Sequence, residues 1–242
     1  MKKLHVLTNK SELKKENLQD KVVIVLDILI ATTSIVTALA NGCKHIIPVR
    51  NYEEAKTLQN DARYAEYKFS GELNADTLTG FIQPTPIALL QSGMHDALLV
   101  YCTTNGTVAL KDCMGAKSTY VGSLLNAQAI IHHILNHHQE NMLVVCSGSN
   151  DQFNIEDFYG AGYFVELFLN SYPPNTLQLS DSAKAAQMFH ASGETLNILN
   201  TSRVGQLLNE RAWQQEVVFA AQKDVYHVIP YLTPQGTIEL AR

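Results

Sequence analysis

Four short polar clusters hold the residues of this 242-residue chain best suited to chemistry, and each follows an apolar run. Asp27 and then Ala31-Thr32-Thr33 follow residues 22–26. Ser70-Gly71-Glu72 closes a run that begins at residue 67. Thr103-Thr104-Asn105-Gly106-Thr107 follows residues 97–102, and Ser147-Gly148-Ser149 follows residues 142–146. A Thr-Thr-Asn-Gly-Thr segment entering a helix offers hydroxyls and unpaired amides at the positive end of the helix dipole, which is a cradle for an anion. Asp27, Glu72 and Asp157 are hard oxygen ligands of the kind Mg²⁺ takes. An anion cradle beside carboxylates able to hold Mg²⁺ is what phosphoryl transfer or phosphate-ester hydrolysis requires. Each cluster also has a purely structural reading: Thr33 can cap a helix, and Asn105-Gly106 can form a tight turn with positive φ. Their common position at strand ends points to a ligand site.

The elements that must position these clusters alternate along the chain. Strands are expected at 4–7, 22–26, 46–49, 67–70, 97–102, 119–121 and 142–146. Helices are expected at 34–41, 52–61, 87–91, 107–113, 124–138 and 155–170. Residues 171–224 read as mainly helical, and 225–232 and 237–240 as a strand pair around a Pro-Gln-Gly turn. This order predicts an α/β fold, three layers (α/β/α) around a mostly parallel or mixed sheet, in one domain spanning 1–242. In such sheets ligands bind beyond the carboxyl ends of the strands.

Composition narrows the function classes. The chain is 46% hydrophobic and 17% charged, with a formal net charge of -5. That balance disfavours nucleic-acid and membrane-surface binding. The longest apolar run, 22–31, is broken by Asp27 and too short to span a bilayer, and a signal peptide is not expected. A cytoplasmic location follows as the expectation. Cys43, Cys102, Cys113 and Cys146 have no C-x-x-C spacing and read as small buried hydrophobes. An α/β chain of this size often pairs as a homodimer.

Several known chemistries fail on spacing. A cysteine-phosphatase loop needs arginine six positions after the nucleophile, where this chain has Gln152 or Val108. A haloacid-dehalogenase loop needs a second Asp where Leu29 stands, and there is no Gly-Lys-Ser/Thr phosphate loop. Gly160-Ala161-Gly162 reads as close helix packing and Trp213 as packing. His132, His133, His137 and His138 read as a solvated helix end.

At these motifs the sequence resembles the 2-phosphosulfolactate phosphatase family. The resemblance is carried by 25–29 with 31–42, Gly71-Glu72, Gly80-Phe81, Thr103 to Thr107, Cys146-Ser147-Gly148, and Glu156-Asp157 with Ala161-Gly162. Asp224 and Pro230 also match the pattern. It implies a Mg²⁺-dependent hydrolase that releases phosphate from 2-phospho-3-sulfolactate. Asp27, Glu72 and Asp157 would serve as metal ligands or acid–base groups. Thr104, Asn105, Gly106 and Thr107, with Thr103, would hold the phosphate, and Thr32, Thr33, Ser147 and Gly148 would complete the pocket. Two departures stand out. Ile30 occupies a position where the family has arginine, and the 80–86 loop is short and lacks the family's Asp and Asn. Arg50 is a candidate replacement for the lost charge. A second reading is a diverged member that binds a phosphorylated or sulfonated metabolite without turnover.

Overall fold

The computed structural model describes residues 2–138 and 140–241. In chain order the strands are β1 (Lys2–Leu7), β2 (Lys21–Leu26), β3 (His45–Val49), β4 (Lys68–Leu73), β5 (Asp76–Thr77), β6 (Leu98–Cys102), β7 (Ser118–Gly122), β8 (Asn141–Cys146), β9 (Leu177–Leu179), β10 (Pro230–Leu232) and β11 (Ile238–Leu240). The helices are α1 (Ala31–Ala40), α2 (Tyr52–Gln59), α3 (Pro86–Gln91), α4 (Gly106–Asp112), α5 (Ala127–His137), α6 (Ile155–Ser171), α7 (Asp181–His190), α8 (Thr195–Thr201), α9 (Arg203–Glu210) and α10 (Gln214–Ala220).

β2 shows why a central strand of this sheet is apolar on both faces. Val22, Ile24 and Leu26 enter one core with Ile130 and Ile134 of α5 and Phe164 and Phe168 of α6. Val23 and Val25 enter another with Ile35 and Leu39 of α1. A strand covered on both sides by helices buries every side chain, so β-branched residues follow one another without alternation.

The eleven strands described form one mixed sheet in the order β5-β4-β6-β3-β11-β10-β7-β2-β8-β1-β9. Two blocks are internally parallel: β4-β6-β3 and β7-β2-β8-β1-β9. The expected carboxy-terminal strand pair exists, but it lies between these blocks, each of its strands antiparallel to the block strand it joins. It is joined at Ile238↔Ile46 on one side and Tyr231↔Tyr120 on the other. A second connection brings the functional ends together. Val23 and Val25 of β2, Leu99 and Tyr101 of β6, and Ala109 and Leu110 of α4 share one apolar cluster. The carboxyl ends of both blocks are thereby set around a common space.

Other departures are local. β5 and the edge strand β9 fall where loop and helix were expected. Helix α1 begins at Ala31, so Thr33 is not its cap. The histidines after residue 131 are not a plain solvated face: the Tyr120 hydroxyl meets His133 Nε2 at 3.0 Å and His138 Nε2 at 2.6 Å. Burial holds both imidazoles below their usual value. Gly162 lies against the Ala186 carbonyl of α7, where any side chain would collide, so its expected packing role holds. All four cysteines are buried and free. Among the described residues no helix is long and apolar enough to cross a membrane.

Candidate active site

The end of β2 sets the first functional side chain. Asp27 is 8% exposed. Its Oδ1 accepts the amides of Ile30 (2.8 Å) and Ala31 (3.2 Å), so the aspartate itself caps α1, while Ile30 makes no side-chain cap. Its Oδ2 has no donor among the described residues and lies against Gly106 of α4. A methyl group at Gly106 would come within 2.7 Å of that oxygen and 2.5 Å of Ala31 Cβ. Glycine is required there by close approach, and its φ is not in the left-handed region. Burial raises the Asp27 carboxyl to about 6, and the charge of Glu72 pushes the same way. The Ala31 and Ile30 amides and the Lys10 ammonium pull against them.

Glu72, at the end of β4, faces the same cleft. Its Oε1 accepts the Thr104 amide and its Oε2 the Ala75 amide, both at 2.6 Å. The Thr104 amide is therefore engaged. Thr103 and Thr107 satisfy each other: each amide donates to the other's hydroxyl, and the Thr107 hydroxyl donates to the Thr103 carbonyl. The amides of Asn105 and Gly106 remain without a protein acceptor among the described residues. The anion cradle thus narrows from five residues to two amides beside the Thr104 hydroxyl.

The end of β8 behaves differently from expectation. The Gly148 amide donates to Asp157 Oδ2 (3.1 Å) and the Ile28 amide to Asp157 Oδ1 (2.9 Å). Asp157 is 1% exposed, and its carboxyl is held well above the usual range by burial and by the charges of Asp27 and Glu156. It ties two strand ends together from behind the cleft. Ser147 is fully buried, and its hydroxyl has no partner among the described residues. The Thr32 and Thr33 hydroxyls donate to the Asp27 and Ile28 carbonyls, and neither residue is exposed. Thr32, Thr33, Thr107, Ser147, Gly148 and Asp157 therefore shape the site without lining it.

Arg50 does not reach the site. Its Nη2 contacts Asp112 at 2.6 Å, and Asp112 is the last residue of α4. The end of α4 facing the cleft is Gly106, about 9 Å away by helical rise.

The cleft has a volume of about 180 Å³. Asp27, Glu72, Thr103, Thr104 and Asn105 line one wall with Ile30, and Pro84 and Thr85 add to it. The 80–86 loop is anchored beneath, since the Pro84 carbonyl accepts the Ser34 hydroxyl (2.9 Å) and the Tyr101 hydroxyl (2.7 Å). The opposite wall comes from α9 and the start of α10: Arg203, Val204, Leu207, Leu208 and Trp213. Trp213, expected only to pack, borders the cleft.

Two residues near the site, Lys10 and Arg203, escaped the sequence reading, and a third, Glu156, entered it only as part of a motif. Lys10 is 8% exposed, and its Nζ meets Asn105 Oδ1 (3.1 Å), the Ser147 carbonyl (3.4 Å) and Asp151 (3.2 Å). It follows β1 directly, so the strand-end rule applied to the first strand would have found it. Glu156, buried with one oxygen unpartnered, is raised to about 7, chiefly by burial. Arg203 opens α9 inside a region that read only as helical.

The residues can be tested against Mg²⁺. Among the described residues no three His, Cys, Asp or Glu side chains converge as a ready-made metal site. Asp27 and Glu72 nonetheless face one cleft, with one Asp27 oxygen free and a mutual repulsion that a cation would relieve. Mg²⁺ commonly takes one or two carboxylates and completes its shell with water and substrate phosphate. The pair fits that pattern. Asp157 does not, because it is 1% exposed and lies outside the cleft lining, where its oxygens hold two backbone amides.

The fold and the cleft define an α/β protein whose ligand site sets two strand-end carboxylates beside the free amides of a helix start. Comparison with known proteins makes this specific. The model of the 2-phosphosulpholactate phosphatase family matches residues 7–235, and the chain belongs to that family. It is 31% identical over 230 residues to a probable 2-phosphosulfolactate phosphatase of Clostridium novyi, covering 94% of this chain and 96% of that one. A protein of the same name from Carboxydothermus hydrogenoformans is 33% identical over 218 residues, covering 90% and 88%. Another, from Symbiobacterium thermophilum, is 31% identical over 228 residues, covering 93% and 96%.

Proposed function

We propose that this chain is a Mg²⁺-dependent phosphatase that hydrolyses a small anionic phosphate ester of the 2-phosphosulfolactate type. The observation that carries this is the juxtaposition of Asp27, Glu72 and Asn105 in one cleft, with the unpaired amides of Asn105 and of Gly106, which packs against Asp27, at its edge. When bound between the two carboxylates, Mg²⁺ would neutralise charge on the phosphate oxygens. The Asn105 and Gly106 amides would donate to the phosphate, helped by the dipole of α4 and the positive potential of Lys10 behind it. Asp27 Oδ2 is the one carboxylate oxygen of the pair without a donor among the described residues, so it is the atom to accept or deliver a proton, or to hold the metal. Glu72 fixes the cradle by holding the Thr104 amide.

Ile30 lines the cleft where the family has arginine, and it favours a second reading, a family member that binds its ligand without turnover. One experiment separates the two. Phosphate release is measured from 2-phosphosulfolactate and simpler phosphomonoesters, with Mg²⁺ and after chelation. Release that requires Mg²⁺ supports the phosphatase. Tight binding with no release in either condition supports the second reading.

A further inference from the structure

The charges lining the cleft are unevenly placed. Asp27 and Glu72 sit on the strand-end wall, and Arg203 on the helical wall is the one Lys or Arg among the described lining residues. Lys10 lies behind the strand ends, with its ammonium already engaged by Asn105, Ser147 and Asp151. Arg203 is exposed, and no carboxylate lies within ion-pair distance of it among the described residues, although Glu156 senses its charge. It is held in place from below. Ser202, fully buried, caps α9 by accepting the Gly205 amide, and Gly205 packs on the Leu199 carbonyl so closely that no side chain would fit. The backbone at Arg203 is therefore fixed, while its guanidinium makes no hydrogen bond among the described residues.

A phosphate ester that also carries an acid group brings a second negative centre into a cleft already holding two carboxylates. The phosphate end has the amides and the metal. The other acid group has no cation on the strand-end wall, where Ile30 presents only hydrocarbon. We propose that Arg203 binds the second anionic group of the substrate, a carboxylate or sulfonate, and so selects doubly acidic phosphomonoesters over simple ones. The planar guanidinium fork matches either group with two parallel hydrogen bonds. The inference rests on the phosphatase reading for its substrate, but not for the binding event itself.

The test is a substrate series with Mg²⁺: 2-phospholactate carries only a carboxylate, 2-sulfoethyl phosphate only a sulfonate, and ethyl phosphate neither. In Arg203→Ala the ratio of kcat/KM for either acidic ester to that for ethyl phosphate falls about 10- to 100-fold, mostly through KM. Arg203→Lys recovers part of the loss, because it keeps the charge and loses the fork. Loss with only one acidic ester identifies which acid group is held. An unchanged ratio in Arg203→Ala overturns the proposal. If the wild-type protein releases no phosphate from any ester, the phosphatase reading fails separately. Calorimetry with 3-sulfolactate then decides: binding that Arg203→Ala abolishes supports the anchor, and equal binding, or none to the wild type, overturns it.

Discussion

On the wall formed by the ends of β2, β4 and β6, most polar groups already have a partner. Asp27 caps α1, Glu72 holds two amides, and Thr103 and Thr107 close on each other. On the wall formed by α9 and α10, Arg203 has no bonded partner among the described residues, and Trp213 is half-buried at the rim. Among the described residues the first wall leaves free Asp27 Oδ2, the Asn105 and Gly106 amides, the Asn105 side-chain amide and the Thr104 O–H, so most of its geometry is set before any ligand arrives, which is what electrostatic catalysis needs. The second wall can change a side chain without unpairing a buried group. On the reading proposed above, chemistry belongs to the first and discrimination to the second.

The sharpest way to break this division is Asp27→Asn. Asparagine keeps an oxygen for the Ile30 and Ala31 amides, so the cap survives while the charge is lost. Phosphate release should drop at least about a thousandfold, with little change in melting temperature. Retained turnover would move the chemistry off this wall. Gly106→Ala attacks the same wall through sterics. The added methyl meets Ala31 and Asp27 at 2.5 and 2.7 Å, and overpacking of this kind costs about 2–3 kcal/mol. A melting temperature lower by roughly 5–10 °C follows for a chain of this size. A variant that melts like the wild type would show that α4 can shift.

Acidity distinguishes the strand ends from the helical layer around α7. His190 sits 3.4 Å from Lys223 and 3.6 Å from Glu166, and burial with the Lys223 charge lowers it from 6.5 to about 4. Between those values the unfolded chain takes up a proton that the folded chain refuses. The contribution of neutral His190 is complete above 6.5 and is lost as pH falls through 4, by up to ~3 kcal/mol. Asp27 and Glu156 act in the opposite sense. Their raised values, about 6 and about 7, favour the folded state at low pH, and that contribution is lost as pH rises through them. Replacing His190 by Gln should therefore make the urea midpoint rise, relative to wild type, as pH is lowered from 7.5 to 5. Parallel curves for the two proteins would remove His190 from the balance.

The same contrast explains what the sequence could disclose. The strand ends were legible because β-branched runs followed by small polar residues have one common meaning in a parallel sheet. What was not legible is which polar groups are consumed internally. Thr32, Thr33 and Gly148 look like ligands in a motif, but their hydroxyls or amides are used by Asp27, Ile28 and Asp157. Asp157 itself is brought to Gly148 by a close approach across 129 residues, to the Ile28 amide. Arg50 misled because a strand end was read without the direction of the neighbouring helix. The insertion of β10 and β11 between two parallel blocks was invisible for a similar reason: short strands carry no record of their neighbours. The helical wall was not legible at all, since Arg203 and Trp213 sit in short helices whose apolar spacing describes only their packed faces.

The smallest expected effect lies at Trp213 and tests whether the helical wall is loosely built at its rim. The Arg211 guanidinium is 5.5 Å from the indole centroid and also reaches Asp76 Oδ1 at 2.8 Å and the Ala75 carbonyl on the β4–β5 turn. This bridge links the two walls at the rim, and an exposed pair of its kind is worth about 0–1 kcal/mol. Trp213→Ala removes the ring that backs Arg211 and part of the cleft lining, but no group that faces the phosphate. KM should rise about three- to tenfold, as expected for loss of an apolar contact and a weakened cation–π pair. The value of kcat should stay within about twofold. A large fall in kcat would mean that the bridge sets the strand-end wall, and the two walls would then have to be treated as one machine.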